Sequence, residues 1–359
     1  MDQKNRFGSA TKLRIFLAIM VVMSHAYPLA GRDLDFLSIF NVNFSLGTVA
    51  VDGFFALSGY FLYESVIKHS PVEFLVRRFL RLAPLLALSV VLTAICFEIA
   101  DLFGFAQINQ YGLLSFVYTN LDLVNLNRQL QIPGAFPNNP IGSTVNGSLW
   151  TLNYEFWASL ILLFWWLVVK LAFSRNMIVF ILPFIVYPLI CVILHFEDQG
   201  NLKDFTFRLL PGFFFGCFIA FVENYFRISL SKKSALINFL SVCTIFSLSI
   251  VLNFYLWISI IIFPILLLTM RKLFENVNEP RFDTAYGIFL FGYPVTQFLV
   301  SVGLTEPISL GVIATLLSAW IAVSCAMLFE KYFNFTALKD SILGEDNQRS
   351  KLMKKRKIL

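Results

Sequence analysis

Three side chains that can exchange protons lie within or at the edge of apolar stretches of this sequence. His25 lies in "VVMSHAYPLAG", Asp52 in "VDGFFALSGY" and Glu155 in "GSLWTLNYEFW". An imidazole gains and loses its proton near neutral pH, and a carboxylate beside it can orient the ring for general-base chemistry. Because ionisable groups are costly inside a bilayer, each of them needs a partner or a purpose. The pattern favours His25 as a catalytic base, oriented by Glu155 or Asp52.

Each of these residues also has a structural interpretation that the sequence leaves open. His25 can be an interfacial histidine at a helix end. Asp52 can be a favourable acidic charge in the first turn of a helix. Glu155 lies about two turns into its segment, where it can serve as the partner of an arginine or histidine on another helix. If the outer ends of the helices are aligned, we expect the three side chains to reach similar depths in the outer half of the membrane.

Basic side chains point to a second site, one that binds anions. "FLVRRFLRLAP" brings three arginines to the predicted inner end of a helix. Arg78 and Arg81 are three residues apart and Arg77 and Arg81 are four apart, so either pair can share a face. Two guanidinium groups on one face can bind a phosphate or carboxylate through bidentate hydrogen bonds. Arg14 lies eleven residues before His25, on nearly the same helix face and about 16 Å away along the axis. The alternative is that these arginines only anchor helix ends at the cytoplasmic surface.

The elements that must position these residues are membrane helices. The chain is 58% hydrophobic and 14% charged over 359 residues, with a mean hydropathy of +0.74. This composition predicts an all-α, polytopic membrane protein. Ten apolar runs are long enough to cross a bilayer, at residues 12–30, 47–66, 80–100, 149–170, 177–195, 206–223, 235–252, 254–270, 284–302 and 308–329.

The distribution of basic residues predicts the orientation of these spans. With ten spans and an inner N-terminus, 24 of the 28 Lys and Arg residues fall in cytoplasmic segments, and four fall outside. Both termini are therefore expected in the cytoplasm. The net charge of +6 follows from this bias, and no nucleic-acid partner is expected. We divide the chain into a membrane domain at 1–335 and a basic cytoplasmic tail at 336–359. The longest outer connection, 101–148, either dips into the membrane or lies on it.

Five motifs together resemble the acyltransferase-3 family of integral membrane O-acyltransferases. They occur in the order of that family and cover nearly the whole chain: "RIFLAIMVVMSH", "VDGFFALSGYFL", "RRFLRLAP", "SLWTLNYEFW" and "GYPV" at 292–295. The resemblance implies a cytoplasmic acyl-CoA donor, usually acetyl-CoA, and an acceptor hydroxyl on a surface sugar. It also implies functional roles for Arg14, His25, Arg78 and Arg81, with Asp52 and Glu155 as the matching acidic positions.

The expected function is transfer of an acetyl group to a lipid-linked or exported polysaccharide in a bacterial inner membrane. Arg14, Arg77, Arg78 and Arg81 are expected to bind the phosphates of the donor. His25 either deprotonates the sugar hydroxyl or carries the acyl group itself. The five cysteines form no CxxC pair and no cluster with histidine, so no metal site is expected. A transporter of sugar lipids and a scaffold for polysaccharide assembly are the alternatives, and partners of such an assembly are possible.

Overall fold

The protein is a bundle of α-helices in a computed structural model that describes residues 3–32, 45–103, 107–194, 205–226, 231–251 and 284–333, and a few positions between 262 and 269. The helices within these ranges are α1 Gln3–Leu29, α2 Leu46–Lys68, α3 Pro71–Leu102, α4 Gln110–Leu121, α5 Leu152–Ala172, α6 Met177–Leu194, α7 Leu210–Phe226, α8 Lys232–Val251, α9 Ala285–Ser301 and α10 Pro307–Phe333. A 3₁₀ turn at Gly147–Thr151 leads into α5, and a π-helical turn at Phe205–Leu209 leads into α7.

The predicted class, a polytopic all-α membrane protein, is confirmed. Six of the described helical segments are long and apolar enough to cross a bilayer, and three shorter apolar helices accompany them. Nine of the ten predicted spans coincide with a helix. The predicted span at 254–270 and the tail at 336–359 lie outside the described residues, apart from isolated helical positions in the former. The cytoplasmic location of both termini stays a prediction.

Helix α3 starts nine residues before the span that hydropathy predicts, which began at residue 80. Ser70 caps it by accepting a hydrogen bond from the Glu73 amide, and Pro71 occupies its first turn. Arg77, Arg78 and Arg81 therefore lie within α3, about 9–15 Å from its start. Of the three, Arg78 is buried in the bundle, Arg77 is half-buried and Arg81 is exposed, and their position at the inner end of the span stays a prediction.

Small residues hold α2 and α7 in close contact. A Cβ atom added to Gly59 would overlap the carbonyl oxygen of Phe213, and one added to Gly216 would overlap that of Ala56. The thiol of Cys217 donates to the Gly59 carbonyl at 3.2 Å. Small residues let helix backbones approach closely inside a membrane, where burial against lipid supplies little driving force. The motif glycine in "SGY" is therefore a packing residue, as its sequence context indicates.

Replacing Gly59 by alanine is expected to destabilise the protein by about 1–3 kcal/mol or more, because two backbones must separate to admit the methyl group. Gly212→Ala is the matched control, since a Cβ added to this glycine of α7 meets no atom within 4 Å. Thermal unfolding of the purified proteins in detergent measures the difference. Equal unfolding temperatures for the two variants would contradict this account of the α2–α7 contact.

The outer connection folds back along α3 instead of lying across the top of the bundle. Near its start, Gln110 donates to the Glu98 carboxylate at 3.2 Å. Near its end, the ring of Phe136 meets Phe97 of the same part of α3 edge-on, with centroids 4.9 Å apart. The twelve residues of α4 then descend about 18 Å beside α3. We call residues 107–146 the returning segment. The two arrangements relative to the membrane that the sequence left open, dipping into it or lying on it, stay predictions.

Candidate active site

Helices α1 and α9 build the surroundings of His25. The imidazole meets the ring of Tyr293 edge-on, with centroids 5.0 Å apart and an interplanar angle of 71°. Gly292, in the motif "GYPV", brings α9 against Val22 so closely that a Cβ atom there would overlap the valine. A Cβ atom on Gly147 would lie 2.5 Å from the Tyr293 ring. Two motif glycines thus fix Tyr293 beside the predicted base, and we call this group the His25 site.

The later part of the returning segment holds α9 in place. Asn139 donates to the Gln297 side-chain oxygen at 2.8 Å, and the Gln297 amide nitrogen donates to the carbonyls of Ile141 and Thr144 at 2.6 and 2.7 Å. Asn146 donates to the Leu290 carbonyl at 2.9 Å. Each bond joins residues more than 140 positions apart in sequence. The asparagine- and proline-rich stretch is therefore a structural clamp on the helix that carries Tyr293.

A buried ion pair forms a second polar centre. Arg78 is only 3% exposed, and its Nη2 donates to Glu155 Oε1 at 2.7 Å and to the Glu155 carbonyl at 3.3 Å. The hydroxyl of Ser58 donates to the same carboxylate oxygen at 2.6 Å. The Nε atom of Arg78 is buried and has no hydrogen-bond partner. Glu155 thus takes the structural role that the sequence left open, as the partner of an arginine.

The other predicted arginines separate into different environments. Arg77 donates to the Glu73 carboxylate one turn earlier, through Nη2 at 2.6 Å and Nε at 2.9 Å. The expected pairing of Arg77 with Arg81 on one phosphate is therefore not prepared by this arrangement. Arg81 is exposed and lies close enough to Glu155 for their charges to interact. Arg14 is half-buried on α1.

Around the Arg78–Glu155 pair lie residues that sequence reasoning did not single out. The hydroxyl of Tyr286 donates to the Leu82 carbonyl of α3 at 3.1 Å, which fixes the ring beside the arginines. Arg128, on the returning segment, lies in the neighbourhood of Tyr286. Burial lowers the pKa of Arg128 to about 10, so its guanidinium stays charged at neutral pH. We call this group the arginine cluster: Ser58, Arg78, Arg81, Arg128, Glu155 and Tyr286.

Asp52 has a partner that the sequence did not predict. Its carboxylate is 6% exposed and accepts a hydrogen bond from Nη1 of Arg208 at 2.7 Å. Arg208 belongs to the π-helical turn before α7, a geometry that is frequent at functional positions. The sequence counted Arg208 only as a basic residue of an outer loop. Its position at the start of an apolar run was the one signal that could have marked it as a partner for an intramembrane carboxylate.

His25 and Glu155 lie at different levels of the bundle, which corrects the predicted common depth. A Cβ atom on Gly47, at the start of α2, would lie 3.2 Å from the hydroxyl of Ser24, so His25 is level with the beginning of that helix. Ser58, which bonds to Glu155, is eleven residues further along, or about 17 Å. Asp52 lies between the two levels. Among the described residues, neither carboxylate bonds to His25, and the expected orientation of the imidazole by Glu155 or Asp52 is not seen.

Breaking the Asp52–Arg208 pair from one side is expected to cost about 3–5 kcal/mol, because one buried charge is left without its partner. Asp52→Asn and Arg208→Met should each lower the unfolding temperature strongly. The double variant should lose clearly less than the sum of the two single changes, since neither charge then remains buried alone. Thermal unfolding in detergent of all four proteins completes the cycle. Strict additivity would contradict a direct interaction.

Comparison with known proteins agrees with this architecture. The family model described as an acyltransferase domain matches residues 12–329. The chain therefore belongs to the acyltransferase-3 family. It is also 28% identical over 311 residues to an O-acetyl transferase from Shigella phage Sf6, a match that covers 84% of this chain and 87% of the relative. No solved structure gives a match. With its apolar helices, the protein is an integral membrane O-acyltransferase.

Proposed function

We propose that this protein transfers an acetyl group from cytoplasmic acetyl-CoA to a hydroxyl of a lipid-linked or exported polysaccharide, in the inner membrane of a bacterium. The observation that carries the proposal is the arrangement of two polar centres on successive levels of one bundle. The arginine cluster offers cations for the phosphates of the donor, and the His25 site offers a base about 17 Å further along α2. An extended pantetheine arm suits that separation.

The residues of this chain support binding of such a donor. Arg78 has a buried Nε atom without a hydrogen-bond partner, and Arg81 is exposed one turn further along the same helix. A buried guanidinium nitrogen without a partner, such as Nε of Arg78, favours an anionic ligand. Arg14, on the same face of α1 as His25, is proposed as a further contact of the donor. Arg77 is bonded to Glu73 and has a smaller part in this proposal.

Chemistry in this proposal takes place at His25. A ring nitrogen of His25 accepts the proton of the sugar hydroxyl as its oxygen attacks the thioester carbonyl carbon. The carbon–oxygen bond forms, the carbon–sulfur bond of the tetrahedral intermediate breaks, and His25 returns the proton to the departing thiolate. The products are the O-acetyl sugar and CoA, and the histidine regains its neutral state. Tyr293 supports the ring from the side.

The two carboxylates have positioning roles in this proposal. Glu155 holds Arg78 through two hydrogen bonds and is itself held by Ser58. Asp52 fixes Arg208 and with it the turn that leads into α7. Neither carboxylate contacts the imidazole, so we no longer propose them as the groups that orient the base. The two carboxylates thus keep Arg78 and Arg208 in the positions that the donor and acceptor encounter when they bind.

Acetyl content of the surface polysaccharide tests the proposed function. Cells that lack the gene, cells that carry it, and cells that carry His25→Ala are compared by proton NMR of extracted polysaccharide and by acetate released with alkali. The proposal expects ester-linked acetyl groups only with the intact gene and an equal amount of polysaccharide in all three. Loss of exported polysaccharide with unchanged acetylation would instead favour the transporter or the scaffold.

A further inference from the structure

The returning segment brings an arginine that is distant in sequence from α3 to the arginine cluster. Arg128 follows the descent of α4 and donates through Nη1 to the carbonyl of Asn120, at the end of that helix, at 3.0 Å. The same side chain lies beside Tyr286, whose hydroxyl bonds to α3 at Leu82. The chain just before Arg128 lies against the start of α5, where Asn153 and Trp157, on either side of Glu155, donate to the carbonyls of Asn125 and Val124 at 2.8 and 3.0 Å.

Two nitrogen atoms of Arg128 are buried without a partner. They are Nε and Nη2, while Nη1 is taken by Asn120. In a guanidinium group, Nε and Nη2 form one edge whose two N–H groups point in parallel, the geometry that receives two oxygens of a phosphate or carboxylate. Arg78, which is 3% exposed, adds a third unpartnered nitrogen, its Nε. An unpaired buried donor costs free energy, so these three atoms indicate a ligand.

The charges of the arginine cluster indicate the sign of that ligand. The cluster has three guanidinium groups, on Arg78, Arg81 and Arg128, and one carboxylate, on Glu155, which is already bonded to Arg78. Asp122 is near enough to Arg128 for their charges to interact, but it is exposed. An excess of positive charge inside a membrane protein is compensated most directly by a bound anion.

We propose that Arg128 is a donor-binding residue whose unpartnered guanidinium edge takes a phosphate of the acyl-CoA. This inference rests on the proposed function, which supplies a phosphate-bearing donor at this level. The returning segment then has two roles. Its later part holds α9 beside His25, and Arg128 binds the donor. Binding of the donor would therefore be coupled to the position of Tyr293 through one continuous stretch of chain.

Binding of CoA to the purified protein in detergent tests this inference without need of an acceptor. The dissociation constant is measured by isothermal titration calorimetry for the wild type, Arg128→Gln, Arg128→Lys and Arg175→Gln. Arg175 is an exposed arginine in the turn after α5, and its replacement removes the same charge away from the cluster. The second probe is S-acetylpantetheine, which lacks the diphosphate and the nucleotide of acetyl-CoA. It is used as a substrate in the transfer reaction, where its KM is measured.

We expect Arg128→Gln to raise the dissociation constant of CoA by about 10–100-fold, because hydrogen bonds to a charged group are lost. Arg128→Lys keeps the positive charge but lacks the bidentate edge of the guanidinium, so the dissociation constant of CoA should rise less in this variant. Arg175→Gln should have the dissociation constant of the wild type. The KM for S-acetylpantetheine should be the same in the wild type and in Arg128→Gln. If the Arg128→Gln protein is not monodisperse, the dissociation constant of CoA for Arg128→Lys alone tests the inference.

Three results would overturn the inference. An unchanged dissociation constant in Arg128→Gln, or in Arg128→Lys where that variant decides, removes Arg128 from the donor site and leaves the proposed function standing. An equal loss with S-acetylpantetheine shows that Arg128 does not act on a phosphate. A wild-type protein that binds no CoA overturns both the inference and the proposed donor.

Discussion

Replacing His25 by alanine is expected to lower the rate of acetyl transfer by about 10²–10⁴-fold, the usual contribution of a positioned base. The reason is that the sugar hydroxyl then keeps its proton while it attacks the thioester. The dissociation constant of CoA should stay near the wild-type value, because the arginine cluster lies about 17 Å away along α2. Initial rates with labelled acetyl-CoA, together with calorimetry, measure the two effects separately.

His69→Ala is the matched control for this prediction. His69 ends α2, where its ring contacts the Ser65 carbonyl at 2.9 Å and lies 3.5 Å from the Glu73 carboxylate. It belongs neither to the His25 site nor to the arginine cluster, so its replacement should leave the transfer rate within a few-fold of the wild type. Full activity of His25→Ala would remove this residue from the chemistry.

Replacing Arg78 by alanine is expected to cost about 3–5 kcal/mol of stability, because Glu155 is left buried without its partner. This variant should accumulate poorly in the membrane. Arg78→Lys keeps a positive charge and should accumulate, but an ammonium group cannot reproduce the planar donor edges of the guanidinium. We expect it to raise the KM for acetyl-CoA by about 10-fold or more. Protein level, thermal unfolding and steady-state kinetics distinguish the two outcomes.

Lys68→Arg provides the comparison for Arg78→Lys. Lys68 pairs with Glu64 on the exposed end of α2 at 2.7 Å, and surface pairs of this kind contribute little. Exchanging its basic group should change neither stability nor KM. If Arg78→Lys were equally silent, the guanidinium would have no specific ligand. The scaffold interpretation, in which the arginines only meet lipid, would then gain support.

Much of the fold was readable from the sequence because lipid imposes simple rules. Apolar runs of sufficient length predicted nine helices at nearly the observed positions. The early start of α3 was also encoded, since Ser70, Pro71 and Glu73 form a recognisable helix start. A hydropathy window does not register such a signal, because the residues that cap a helix are polar.

The pairings inside the bundle were not readable in the same way. Arg208 and Asp52 are 156 positions apart, and Arg78 and Glu155 are 77 apart, so their contacts depend on how helices pack. The position of Arg128 depends on the return of a whole segment along α3. Charge counting assigned Arg128 to an outer loop, and that rule does not register where a loop packs against the helices.

The most direct test of the central claim is transfer of label from radioactive acetyl-CoA to extracted polysaccharide by the purified protein in proteoliposomes. The wild type is compared with His25→Ala under saturating donor. We predict alkali-labile label on the polysaccharide with the wild type and at least a hundredfold less with His25→Ala, in line with the loss of about 10²–10⁴-fold expected for a base. Equal labelling by both proteins, or none by a wild type that is folded and supplied with its own polysaccharide, would contradict the account.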